Sequence, residues 1–238
     1  MDAPLQEIFC SVQGEGPYIG MRQVFVRFAG CNLSCSYCDT PQKTDKYFKF
    51  ERIPGSFEFE SMANPITPSR LNELVSRFDQ VHSISLTGGE PLLYSDFIQE
   101  LDTRYPLYLE SNMTLPENAR QISDKIRFVS GDIKMQGDVN VPELSSHIDS
   151  TIKCFKELRT TKTRDCFAKV IISKYTETEQ IYDIVTEISQ YISCIVLQPV
   201  TSPTDRCDLD VLLQFQNKLL NIIDARIIPQ SHKMLGCL

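Results

Sequence analysis

The sequence predicts a single α/β domain in which parallel strands are joined by helices, and three observations predict it. Short runs rich in Val, Ile, Phe and Tyr alternate with longer amphipathic runs along the chain. A length of 238 residues with 42% hydrophobic content suits one core, since α/β barrels often exceed the usual one-domain length. No fixed-period repeat and no low-complexity tract interrupts the alternation.

Taken in order, the first strand is expected at residues 23–28, where Val24, Phe25, Val26 and Phe28 suit a buried pleat. Residues 43–65 are rich in Phe, Lys, Glu and Pro without a clean period, and read as an insertion, a loop or small excursion that elaborates the surface. A helix is expected at 68–78, then a strand at 82–86 and a helix at 95–104. The alternation continues with strand 107–110, helix 116–123, strand 126–130, helix 142–158 and strand 167–173. Helix 177–190, strand 194–197, helix 209–223 and strand 225–228 complete it. Several helices open on Ser, Thr or Pro, as helix entries do. Thr176 and Glu179 have the spacing of a capping box before an apolar-periodic stretch.

The formal charge of −7 argues against broad attraction to nucleic-acid phosphates or acidic membranes, and favours small-molecule chemistry. Residues 1–7 carry neither the basic stretch nor the apolar core of a signal peptide, and no later apolar run approaches spanning length. A soluble, cytoplasmic protein with no membrane or nucleic-acid partner is the expectation. Nine cysteines, an odd number, point to thiols or metal ligands in a reducing compartment rather than a disulfide framework. Cys10, Cys154, Cys166, Cys194, Cys207 and Cys237 are scattered and read as core thiols.

The other three are not scattered. Cys31, Cys35 and Cys38 lie within eight residues, directly after a predicted strand, and can wrap one compact metal centre. A closed structural zinc site wants four ligands, and no obvious fourth Cys or His lies nearby. Three thiolates leave an iron-sulfur cluster with one open iron for a small molecule. Tyr37, just before the last thiol, can offer a ring and a backbone group to such a ligand, or be an ordinary loop aromatic.

The strand ends carry a second set. Gly88-Gly89-Glu90 follows strand 82–86; paired glycines let backbone approach a ligand closely, and Glu90 can accept from an ammonium. Ser111 and Asn112 end the next strand, Asp132 and Lys134 follow the one after, and Gln198 follows the sixth, where α/β enzymes keep their sites. Upstream, the glycines of Gln13-Gly14-Glu15-Gly16 permit a tight turn flanking an amide and a carboxylate, which can satisfy the donors and acceptors of a heterocycle edge. Arg27 is a lone charge in Val-Phe-Val-Arg-Phe and wants an anion, either a ligand carboxylate or a structural Asp or Glu.

The spacing CxxxCxxC is the hallmark of the radical S-adenosylmethionine (SAM) superfamily, which this chain resembles. The resemblance implies a [4Fe-4S] cluster on Cys31, Cys35 and Cys38 whose open iron is chelated by SAM, electron transfer then cleaving SAM to a 5′-deoxyadenosyl radical. It implies a partial, open TIM-like barrel of about six β-α units, one domain over residues 1–238. It also implies SAM contacts from Tyr37, Asp39, Gly88, Gly89, Glu90, Ser111, Asn112, Asp132, Lys134 and Gln198.

Nearly the full length further resembles the 7-carboxy-7-deazaguanine synthase family. The matching pieces run from residues 12–16 through Arg27, 31–40, 87–91, 132–134 and 198–199 to 230–233, most specifically Gln-Gly-Glu-Gly and Cys38-Asp39-Thr40. That resemblance implies conversion of 6-carboxy-5,6,7,8-tetrahydropterin to 7-carboxy-7-deazaguanine with loss of ammonia. Val12, Gln13, Gly14, Glu15, Arg27, Thr87 and His232 would touch the pterin. Thr40 would be the protein ligand to a Mg²⁺ ion, a hard cation that usually retains waters and substrate oxygens. A role for the Leu238 carboxylate, an electron donor such as a flavodoxin or ferredoxin, and a homodimer are expected from the family only.

Met113 departs from the family, which tends to show Gly there, and leaves the local loop geometry open. Two rivals share some of these features: a glycyl-radical activase, which does not explain residues 12–16, Arg27 and Thr40 together, and a non-catalytic cluster carrier, against which polar residues at successive strand ends argue.

Overall fold

The computed structural model describes residues 1–36, 38, 43–135, 137, 139, 141 and 143–237. Its first strand, β1 (Leu5–Val12), runs antiparallel to β2 (Arg22–Phe28). A hairpin of β3 (Tyr47–Glu51) and β4 (Phe59–Ala63) then adds to the free side of β1, with β3 parallel to it. From β2 the sheet extends the other way through β5 (Ser83–Gly88), β6 (Leu107–Ser111), β7 (Ile126–Ile133), β8 (Asp165–Ile172), β9 (Ile195–Pro199) and β10 (Ala225–Ile227), all parallel and paired in chain order. The ten-stranded order ends on β10 at one edge and β4 at the other, so the sheet is open.

Parallel strands need crossovers, and six helices supply them: α1 (Pro68–Val75), α2 (Ser95–Gln99), α3 (Pro116–Gln121), α4 (Leu144–Glu157), α5 (Thr178–Ile188) and α6 (Leu209–Leu220). A short α7 (His232–Leu235) follows β10. Each longer helix buries one stripe; in α5 it is Ile181, Ile184, Val185 and Ile188, the i, i+3, i+4, i+7 pattern. The strands they cover are near-continuously buried, as in Ser83–Leu86, because both faces are occupied. Thr67 caps α1 by accepting from the Arg70 amide at 3.2 Å, with Pro68 in the first turn.

Three expectations need correction. The first strand is residues 5–12, ahead of the one expected at 23–28; Gln6, Glu7 and Ser11 obscure it, yet Glu7 sits opposite Arg27 in the antiparallel pair. Residues 43–65 are not a loop, since β3 and β4 lie there and alternate Phe48 and Phe50, both 2% exposed, against outward Tyr47 and Lys49. Buried Glu51 ties this hairpin to β1, accepting from the Cys10 amide at 3.0 Å and the Phe57 amide at 3.2 Å. The capping box at Thr176 does not form: its hydroxyl accepts from the Ser173 amide at 2.8 Å, and α5 begins after Glu177 without a side-chain cap. Of the helix expected at 142–158, Pro142 lies outside the described residues.

One end of the barrel is filled. Tyr18, in a 3₁₀ turn, packs against His82, Tyr108, Phe128 and Phe167 near the N-terminal ends of the parallel strands, and its hydroxyl donates to Asp165 at 2.6 Å. The C-terminal ends are left open for a site, as the barrel architecture prescribes. Because Phe50 fills core space against Phe78, 5.8 Å between ring centroids, Phe50→Ala is expected to lower unfolding free energy by about 3–5 kcal/mol in a urea titration. A loss below about 1 kcal/mol would mean that the hairpin is a surface elaboration after all.

Candidate active site

A cavity of 480 Å³ opens at the C-terminal ends of the parallel strands. Every strand from β5 to β9 contributes to its wall, in the form of Thr87 to Gly89, Glu110 to Asn112, Asp132, Lys169 and Ile171, and Gln198 to Pro199. The turn after β1 adds Gln13, Gly14 and Glu15, and β2 adds Arg27. Cys31, Cys35 and Cys38, none of them in a disulfide, line the same cavity. His232 and Lys233 reach it from α7.

The sheet register explains the strongest electrostatic feature. Asp132 on β7 lies beside Lys169 on β8, and the carboxylate is 3.3 Å from the ammonium. Lys169 also donates to Glu15, while Asp132 turns its other oxygen to Lys134 at 2.8 Å. The result is a chain of alternating charge, Glu15, Lys169, Asp132, Lys134, from the N-terminal turn to the end of β7. Burial opposes the charged form of Lys169, but Asp132, Glu15 and Glu110 overcome it and raise its pKa well above the usual value. Burial likewise opposes ionisation of Glu15; the Lys169 charge and a 2.7 Å hydrogen bond from Gln230 win, and hold its pKa at about 2.

Two residues that resemble ligand readers are occupied with the fold. The Gln13 amide donates to Gln23 at 3.0 Å and Glu110 at 2.9 Å, and accepts from the Glu15 amide at 3.0 Å, so both its N–H groups are engaged internally. Glu90 was expected to meet an ammonium. Instead its carboxylate is fully buried and does not line the cavity; it accepts from Ser111 Oγ at 2.9 Å and from the amides of Asn112 at 2.7 Å and Leu92 at 3.0 Å. Burial pushes its pKa up to about 7 against those donors. Its effect on the site is to hold the Ser111-Asn112 turn beside Cys31.

The glycines act first on the chain itself. A Cβ on Gly89 would lie 1.8 Å from the Gly30 carbonyl oxygen, so only glycine lets β5 cross the start of the cysteine loop. A Cβ on Gly14 would meet the His232 ring at 2.3 Å, which places His232 directly on the N-terminal turn. Arg27 has its structural anion: Nε is 2.9 Å from Glu7 Oε1, off the hydrogen-bond direction, and the guanidinium lies 5.5 Å from the Phe9 ring centroid. Thr87 donates to Glu110 at 2.9 Å, so toward the cavity its hydroxyl can only accept. Gln198, 2% exposed, has no partner for Oε1 among the described residues.

Among the described residues no three His, Cys, Asp or Glu side chains converge on a single-ion site. A multi-iron cluster asks something different, one thiolate per iron at separate corners. The three thiols suit that demand, being on one wall and close enough that charge on Cys31 and Cys38 raises Cys35, whose burial already pushes its pKa up to about 11. Val12 lines the cavity as well. Tyr37, Asp39, Thr40 and Leu238 lie outside the described residues. Sequence reasoning did not single out Lys169 or Glu110; each is a lone charge in an apolar strand, the same signal that marked Arg27.

Residues 25–141 match the Radical SAM superfamily. The chain is 39% identical to a 7-carboxy-7-deazaguanine synthase of Archaeoglobus fulgidus, over 99% of each chain. It is 35% identical to the enzyme of that name from Geobacter sulfurreducens, over 98% of this chain and 97% of the relative. The fold is shared with the crystal structure of QueE from Escherichia coli, at a TM-score of 0.58 and 17% identity, covering 98% of this chain and 95% of that one.

The charge chain sets an expectation for acid. Glu15 has a lowered pKa in the folded state, so its contribution to stability is complete above the unfolded value of 4.5 and is lost as pH falls toward about 2; it amounts to roughly 3 kcal/mol. In a ¹³C NMR titration of labelled glutamate, the Glu15 carboxyl is expected to titrate last. In Lys169→Met its midpoint should move upward, and an unmoved midpoint would mean that Lys169 is not its main counter-charge.

Proposed function

The chain belongs to the 7-carboxy-7-deazaguanine synthases of the radical SAM superfamily, and from that premise we propose how its residues divide the work. It is a radical SAM lyase that converts 6-carboxy-5,6,7,8-tetrahydropterin to 7-carboxy-7-deazaguanine with loss of ammonia. The observation that carries this reading in the structure is that the three thiols and the Gln13-Gly14-Glu15 turn face one cavity.

Cys31, Cys35 and Cys38 would hold the [4Fe-4S] cluster, and Gly88, Gly89, Ser111, Asn112, Asp132, Lys134 and Gln198 line the wall available to SAM. When bound, these two groups supply one-electron cleavage of SAM and a radical that removes hydrogen from the substrate. The orphaned Oε1 of Gln198 favours a ligand that brings an N–H or O–H donor to the end of β9. Glu90 serves the same wall from behind by fixing the turn at Ser111 and Asn112. Tyr37 and Asp39 complete the SAM set by resemblance.

For the pterin, the chain offers matched polarity. Glu15 is held ionised, and each of its oxygens keeps a lone pair beyond the bonds from Lys169 and Gln230, so it can accept from the amino and ring N–H groups of the heterocycle. Val12, Gly14 and Gln13 contribute mainly backbone, because the Gln13 side chain is engaged. Arg27 can take the substrate carboxylate in fork geometry while Glu7 steadies its Nε. Thr87 accepts, and His232 closes the turn from the far side. Such fixing is what a radical reaction requires, since position decides which hydrogen is removed.

Mg²⁺ would be carried by Thr40 together with substrate oxygens and water, which suits an ion commonly held by few protein ligands. The finer parts of the proposal are a single domain over 1–238, a homodimer, a flavodoxin or ferredoxin as donor, and a cytoplasmic location. No helix among the described residues is long and apolar enough to cross a membrane.

The test is an anaerobic assay of reconstituted protein with 6-carboxytetrahydropterin, SAM, reductant and Mg²⁺, following the deazaguanine by mass. Product is expected from the wild type, none from Cys35→Ala, and less after chelation of Mg²⁺. SAM cleavage without deazaguanine would contradict the substrate while keeping the superfamily chemistry.

A further inference from the structure

Beside Cys31 three side chains form a closed ring of hydrogen bonds. Asn112 Nδ2 donates to Asn32 Oδ1 at 2.9 Å, Asn32 Nδ2 donates to Thr114 Oγ1 at 2.8 Å, and Thr114 Oγ1 donates back to Asn112 Oδ1 at 2.6 Å. The orientation of the Asn112 amide is fixed independently, because the Thr114 backbone N–H, which can only donate, meets Oδ1 at 3.2 Å. Nδ2 therefore faces the other way, and it lies 3.7 Å from Cys31 Sγ. The Leu33 amide donates to the same sulfur at 3.4 Å.

The backbone beneath the ring is equally constrained. Glu90 accepts from the Asn112 amide at 2.7 Å, Ser111 Oγ accepts from the Met113 amide at 3.0 Å, and Met113 is fully buried with φ at 57°. That left-handed residue is where the family tends to show Gly. It turns the chain so that Asn112 points back at the cysteine loop. Asn112, 7% exposed, thus has one N–H on Asn32 and the other on sulfur, which leaves its side chain no free donor for SAM.

We propose that Asn112, positioned by Asn32 and Thr114, donates a hydrogen bond to the Cys31 sulfur that raises the reduction potential of the cluster. This rests on the reading of Cys31, Cys35 and Cys38 as its ligands. An added electron places more negative charge on the sulfurs, so an N–H aimed at one of them stabilises the reduced form more than the oxidised one. Asn112 is then a tuning residue for the electron that starts the reaction, and Thr114 is a positioning residue acting through it.

The test is a redox titration of the reconstituted full-length protein, without SAM, followed by the EPR signal of the reduced cluster, with iron content measured for every sample. Asn112→Leu is expected to move the midpoint to more negative potential at wild-type iron content. Thr114→Val should move it in the same direction by less, and Thr114→Ser should restore it. If Asn112→Leu assembles no cluster, the Thr114 pair decides alone, since it removes or keeps one hydroxyl. Full iron with unmoved midpoints overturns the inference and leaves the cluster reading intact; a wild type that binds no iron overturns both.

Discussion

The ammonium of Lys169, buried between Glu15 and Asp132, is the contact on which the site depends. A buried charge is costly unless it is paired and hydrogen-bonded, and truncating one partner leaves the others exposed to that cost. Asp132 comes to Lys169 through the parallel register of β7 and β8, so it is present as soon as the barrel forms. Glu15 comes from the turn after β1, far away in sequence, and this ion pair seats that turn over the strand ends together with the bonds from Gln13 to Glu110 and from Gln230 to Glu15. Lys134 carries the alternation onward, near enough to Cys35 for its charge to offset part of the rise that burial imposes on the thiol's pKa. One line of charge thereby joins the Gln13-Gly14-Glu15 turn to the wall of the cavity that carries the three thiols.

Around this line the side chains that look most suited to grip a ligand hold the chain instead. Gln13 ties β1 to Gln23 on β2 and Glu110 on β6, and Glu90 ties the end of β5 to the turn after β6. Toward the cavity the chain then presents backbone, acceptors such as Glu15 and Thr87, and the Gln198 Oε1 that has no partner among the described residues. The arrangement has a physical logic. A buried polar group whose bonds are satisfied within the fold would lose them by turning toward water, so these bonds hold the side chains behind the cavity wall in place.

Much of this was legible from residues. The seven parallel strands and six crossover helices follow from runs such as Val24 to Phe28 and from the stripe of α5, and the local spacing of Cys31, Cys35 and Cys38 places three thiols on one wall of the cavity. The N-terminal half of the sheet was not. In β1 the polar Gln6 and Glu7 break the apolar pattern because Glu7 pairs with Arg27 across the sheet, and the alternation of Tyr47 to Glu51 was hidden among charges and prolines. Lys169 and Glu110 carry the lone-charge signal that marked Arg27, but the signal does not say which partners such a charge meets. Partners from four different strands cannot be read from one local window. The bonds that Gln13 and Glu90 make within the fold were hidden for the same reason: spacing shows that a polar group is present, and only the fold shows what it already bonds.

The most direct measurement is the ratio of 5′-deoxyadenosine to deazaguanine formed by Lys169→Met under anaerobic turnover, compared with wild type. If Lys169 seats the pterin-facing turn, the variant keeps its cluster and cleaves SAM, but forms deazaguanine with a raised KM and a ratio shifted toward deoxyadenosine. A variant with full iron, wild-type KM and a wild-type ratio would contradict the account, because the turn would then hold its place without the ammonium beneath it.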